Sequence, residues 1–219
     1  MALGNYLGAV NFLITLILGT CFAVLGSRRM ETVIKLAVAQ ALLLAGLSIV
    51  LGWATGIGEM YVAALLTLAV KAGVIPYILT KVVRGVGVSR EVNSYVSLKM
   101  SFLIAGALVI VSYLATGQIV GRGSGLVHEA LPAAVAMILM GLFVIMTRKL
   151  AVMQITGFLL MENGISLAGL GTTNGMPLVV ELGIFLDILI GVLIMGVLAF
   201  RINRTFDTLD TENLRNLRG

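Results

Sequence analysis

Long apolar runs, broken by short segments that hold nearly all the charge, decide what this chain can fold into. A spanning helix needs about 17–25 predominantly apolar residues. Seven stretches meet that need, at about 4–26, 33–53, 60–83, 98–117, 131–147, 150–170 and 178–200. The runs are continuous and do not alternate apolar with polar residues, so the spanning element is a helix and not a barrel strand. The expected fold is all-α, a polytopic transmembrane helix bundle of about seven spans. Composition closes the water-soluble alternative: 59% of residues are hydrophobic and 11% charged, where a soluble domain carries about 25% charged residues. The first run has no basic leader and no small-residue cleavage site, and Arg28 and Arg29 follow it at once. It reads as a retained helix and not as a signal peptide.

The chain is basic, with a net charge of +5 and a pI near 9.7. In a membrane protein this excess records orientation, not a nucleic-acid partner. The segments around the ends of the first, third, fifth and seventh runs hold thirteen of the fifteen basic residues. The positive-inside rule puts these segments in the cytoplasm, with the N-terminus out and the C-terminus in. An odd number of spans agrees, and Trp53 and Tyr61 flank the second connection, where an outer aromatic belt would put them. The expected location is the cytoplasmic membrane. The glycine-rich Gly121–Gly125 divides a four-helix part, residues 1–125, from a three-helix part, residues 126–219, which ends in a polar cytoplasmic tail.

Four charged residues lie well inside expected spans, away from their ends: Lys71, Glu162, Glu181 and Asp187. Each costs at least about 2.5–3.5 kcal/mol to insert, so each needs a partner, a water-filled cavity or a neutral state. At 1.5 Å per residue, Asp187 lies about 13–14 Å from the outer end of its run, Glu162 about 12 Å and Lys71 about 16 Å. All three are therefore near the middle of a hydrocarbon core about 30 Å thick. Gly183 and Gly191 share the face of Asp187 and leave room for a helix or for water. Ser166 offers a hydroxyl on the face of Glu162, and Thr67 on that of Lys71. Pro76 frees a backbone carbonyl near Lys71 and marks a kink. Three groups at one depth, two of them acids, point to a proton relay of Lys71, Glu162 and Asp187. Glu181, nearer the outer surface, is either an outer relay member or a snorkelling side chain. The competing reading is a set of static ion pairs that holds helices in register.

His128 and Glu129 fall in an outer loop and read as solvated, while Cys21, Gln40 and the methionines read as packing. Gly4-x-x-x-Gly8 is a common pattern for helix packing. With one cysteine and one histidine, the chain has no disulfide, no cysteine-ligated cluster and no bis-histidine haem. No catalytic residue, metal or cofactor is expected on it.

Residues from about 131 to 219 resemble subunit K of bacterial complex I. The resemblance rests on the Arg148-Lys149 turn, Gly157-Phe-Leu-Leu-Met-Glu162-Asn163, Asp187-Ile-Leu-Ile-Gly191 and Arg201-Ile-Asn-Arg204. It implies an acid on each of the last two helices. Asp187 falls on the second of these, as Asp in place of Glu. The first would fall on Leu159, with Glu162 one helical turn away. The whole chain, with Leu66-Thr-Leu-Ala-Val-Lys71-Ala-Gly-Val-Ile-Pro76, resembles hydrogenase-4 component E. That resemblance implies a non-catalytic, proton- or cation-translocating subunit in the membrane arm of a complex I-like oxidoreductase, a group 4 nickel–iron hydrogenase. Its partners would be antiporter-like subunits and a redox arm that carries the metal clusters on other chains. A freestanding ion-coupled transporter or channel, and a structural scaffold subunit, are the alternatives from other classes.

Overall fold

The computed structural model describes residues 2–86, 94–120, 125–172 and Gly191. The described residues are helical apart from short turns. Helix α1 is Ala2–Gly26 and α2 is Met30–Thr55. The third span is composite: α3, Glu59–Leu66, a π-helical segment, Thr67–Val74, and α4, Ile75–Val86. Then come α5, Leu98–Val120, α6, Gly125–Thr147, and α7, Ala151–Thr172. Five of these spans are long and apolar enough to cross a membrane, and α7 adds a sixth helix of 22 residues. The chain is an integral membrane protein. The expected seventh span, 178–200, lies outside the described residues except for Gly191.

Each helix falls where an apolar run was expected, with two informative extensions. Helix α6 begins at Gly125, not near 131, and runs through Pro132. His128 and Glu129 therefore sit on a helix and not in a loop; His128 is exposed and Glu129 half-buried. Helix α2 begins at Met30 and ends against Gly56, whose φ of 73° is a left-handed conformation suited to glycine. Its N–H caps the helix through Gly52 O at 2.9 Å. The sharp turn that follows brings α3 back antiparallel to α2.

The core is one apolar cluster that runs from α1 and α2 to α6 and α7. Helices α6 and α7 form the most extensive pair, and glycine is the reason. A Cβ on Gly141 would lie 2.6 Å from Gly157 O, and one on Gly157 would lie 2.9 Å from Gly141 O. One on Gly164 would lie 2.8 Å from Ala134 O. The two backbones touch at these positions, and any side chain would force them apart. Gly8 is different: a Cβ there meets nothing within 4 Å, so it is not buried against another described helix. Helix α5 lies at the margin and exposes Leu103, Ile110 and Leu114, as expected of a helix against lipid or another subunit.

Candidate functional site

Helix α7 has two faces with different work. At 3.6 residues per turn, Gly157 and Gly164 share one side and Leu159, Glu162, Asn163 and Ser166 the other. Close packing of the glycine side on α6 aims the polar side across the bundle at the third span. There the helix is wound wider. In the π segment Thr67–Val74, the N–H of Ile75 reaches Val70 O, five residues back. Pro76, next in sequence, has no N–H to offer and sits in the first turn of α4, where proline is tolerated. Lys71 lies in the middle of this segment and is buried.

Lys71 Nζ forms an ion pair with Glu162 Oε2 at 2.6 Å, with the two side chains 3% and 2% exposed. Lys71 also donates to Asn163 Oδ1 at 2.9 Å and Ser166 Oγ at 3.2 Å. Among the described residues, the ammonium thus has one carboxylate counter-ion and two hydrogen-bond acceptors. Ser166 Oγ donates in turn to Glu162 Oε1 at 3.0 Å. The network continues away from the charges. Asn163 Nδ2 donates to Gln40 Oε1 at 3.0 Å, and Gln40 Nε2 reaches Cys21 Sγ at 3.2 Å and Ile17 O at 3.4 Å. Four helical segments, α1, α2, the π segment and α7, are thus joined by polar contacts inside an apolar core. A cavity of about 10 Å³ adjoins Lys71 and Asn163, walled by Ile34, Ala37, Ile75, Pro76, Leu79 and Leu159. That is about the volume one water needs. It lies toward α4, on the side of the basic connections.

Of the expected relay residues, the structure brings Lys71 and Glu162 together. Asp187, Glu181 and Gly183 lie outside the described residues. A Cβ on Gly191 would meet nothing within 4 Å among those described. The hydroxyl expected beside Glu162, that of Ser166, is there. Gln40 is not mere packing: it is 1% exposed and holds the amide of Asn163. Both amides were legible as polar groups inside apolar runs, which must find partners for the same reason charges must. Arg148 has the sequence pattern of a basic turn and no more. It is 5% exposed, and its Nη2 donates to Leu25 O at 2.7 Å, capping the end of α1. Leu159, the position where subunit K would carry its acid, points an apolar side chain at the cavity beside Lys71. Among the described residues, no group of His, Cys, Asp and Glu is placed to hold a metal ion.

A buried Lys–Glu pair on a π-wound helix, within a bundle that holds at least five helices long and apolar enough to cross a membrane, places the chain among polytopic membrane proteins. Sequence comparison makes this specific. The chain is 31% identical over 150 residues to hydrogenase-4 component E of Escherichia coli strain K12, covering 68% of this chain and 69% of that one. The same component in Shigella flexneri matches equally. An uncharacterised protein of Mycobacterium tuberculosis is 34% identical over 192 residues, 87% of each chain. The chain belongs to the hydrogenase-4 component E family. No family model matches it, and no solved structure does.

Proposed function

We propose that this chain is a proton-translocating membrane-arm subunit of a complex I-like oxidoreductase, with the Lys71–Glu162 pair as its working element. The observation that carries the proposal is the buried pair itself, held on a π segment beside a water-sized cavity. π-Helical turns occur disproportionately at functional sites. A proton passing from Lys71 Nζ to Glu162 Oε2 converts ammonium and carboxylate into amine and carboxylic acid, with no change in net charge. The neutral acid then releases its proton to a further acceptor, and Lys71 regains one through the cavity. Asp187, at matching depth by count, is the acceptor proposed, and Glu181 would extend the route outward. The redox chemistry and its metal clusters would reside on companion chains of a group 4 hydrogenase, with the basic connections and C-terminus of this chain in the cytoplasm.

The test is Glu162→Gln in the assembled complex, scored as protons moved per electron. Gln keeps the volume and accepts from Lys71 but cannot carry a proton. The expected result is intact assembly with translocation lost, and Asp187→Asn should behave alike. Normal pumping in both variants would remove the relay.

One observation favours a second reading. Lys71 is held by a counter-ion and by two hydrogen-bond acceptors, as a static pair that locks helices in register would be. In that case Glu162→Gln should pump normally wherever it assembles.

A further inference from the structure

A second polar site lies at the end of the bundle where α1 finishes and α6 turns into α7. A pocket of about 210 Å³ opens there, lined by Arg28, Arg148, Ser27, Ser94, Ser97 and Ser101. Arg148 is nearly inaccessible, and its Nη2 is committed to Leu25 O. Its Nε is buried without a hydrogen-bond partner. Burial pushes the guanidinium pKa down by desolvation, yet arginine stays charged in proteins. Among the described residues no acid lines the pocket, although two guanidinium groups do. Beside it, Lys149 stands over the ring of Tyr95 at 4.5 Å and adds to the positive field.

A buried donor without an acceptor is unfavourable alone, and two guanidinium groups at one pocket repel each other, with no acid among the described lining residues. One anion cures both. Phosphate suits best, because its oxygens match the guanidinium fork. The serines suit it too. Ser94 Oγ donates to Thr147 O at 3.3 Å and Ser101 Oγ to Ser97 O at 3.1 Å, and such hydroxyls turn readily toward a better acceptor. The pocket sits where α5 begins at Leu98 and α6 ends at Thr147, the level at which headgroups meet the ends of spanning helices. We infer that this pocket binds a phosphate group, carried either by an anionic phospholipid or by a soluble anion.

The full chain would be placed in nanodiscs of phosphatidylcholine with a minor fraction of phosphatidylglycerol, and retained lipid counted by native mass spectrometry. Wild type should retain phosphatidylglycerol in preference to phosphatidylcholine. Arg28→Gln removes an exposed side chain and should fold normally, yet lower that retention about fivefold, the factor one basic residue contributes at an anionic surface. Arg148→Lys, which keeps the charge and loses the fork, should lower it as well. In a second arm, inorganic phosphate is added to the delipidated chain at fixed ionic strength, and unfolding is followed by Trp53 fluorescence. A rise in midpoint for wild type but not for Arg28→Gln assigns the site to a soluble anion. A response in the lipid arm alone assigns it to a headgroup. If wild type and Arg28→Gln behave alike in both arms, the inference is wrong, whatever Arg148→Lys does.

Discussion

The two faces of α7 hold the molecule together in opposite ways. Against α6, contact is through absence: Gly141, Gly157 and Gly164 bring backbones so close that an added methyl would sit within 3 Å of a carbonyl oxygen. Against the third span, contact is through polar side chains, with Glu162 and Asn163 both bound to Lys71. The first kind of interface has one arrangement and no alternatives, because close-packed backbones are not continuously deformable. The second can exchange protons and partners without moving a helix. A rigid seam behind a polar face is what a relay requires, since it fixes donor–acceptor distances while charges change. A scaffold would use both faces for the same purpose. Substitutions on the two faces should therefore fail differently.

The largest effect should come from the polar face. Lys71→Met leaves Glu162 buried without its counter-ion, which costs about 3–5 kcal/mol unless the acid takes up a proton. Lys71→Met combined with Glu162→Met should recover most of that stability, because replacing both partners of a buried pair by apolar groups is often near neutral. Chemical denaturation of the purified chain would measure both. If the relay is real, the double variant assembles and still fails to pump. Lys71→Arg sharpens the point: it keeps the charge but cannot release a proton, so full pumping in that variant would leave Lys71 only as a fixed positive charge.

Next in size is the glycine seam. Gly157→Ala forces α7 away from α6 and should cost about 1–3 kcal/mol, the usual penalty for overpacking. It should also lower proton translocation in assembled complexes, because Glu162 rides on the same helix. A variant as stable as wild type would show that the seam relaxes, and would break the contrast between the faces.

The amide link should match the seam in stability and have the smaller effect on pumping. Gln40→Leu strands Asn163 Nδ2, a buried donor whose loss of partner costs about 1–3 kcal/mol. Asn163 would remain bonded to Lys71 through Oδ1, so pumping should fall less than in Glu162→Gln. Loss of pumping equal to that of Glu162→Gln would make Gln40 part of the proton route.

How much of this was legible in the sequence follows from what kind of signal each feature leaves. The spans were legible because hydrophobic length is a local property, and six of them fall on helices close to the expected bounds. Lys71 and Glu162 were legible as buried charges for the same reason. Their pairing was not, since 91 positions separate them and no local pattern records a contact between helices. The depth count placed both near the membrane centre, which is consistent with the contact without specifying it. The π segment was invisible too: Pro76 pointed to a disturbed ladder, but a wider turn depends on how α2 and α7 pack around Lys71. Arg148 misled through its neighbours. An Arg-Lys pair after an apolar run has the pattern of a solvated turn, and only the approach of α1 buries one of the two.

The smallest expected effect is the sharpest control on the comparison. Gly46→Ala makes the same chemical change as Gly157→Ala, within a helix of the same bundle. A Cβ at Gly46 meets nothing within 4 Å. In the isolated chain its unfolding midpoint should hold or rise, by no more than the equivalent of about 1 kcal/mol, because alanine favours a helix over glycine and the new methyl meets no packed neighbour. The difference between the two substitutions then isolates the backbone contact at Gly157 from the general effect of adding a methyl to a helix. Measured again in the assembled complex, the same variant reports on the surroundings of α2. No loss there either means that lipid, which adapts to a methyl group, covers Gly46. A loss of stability that appears only on assembly means that another subunit packs there as closely as α6 packs on α7. A loss already present in the isolated chain would contradict the open space at Gly46 and remove the basis for the contrast.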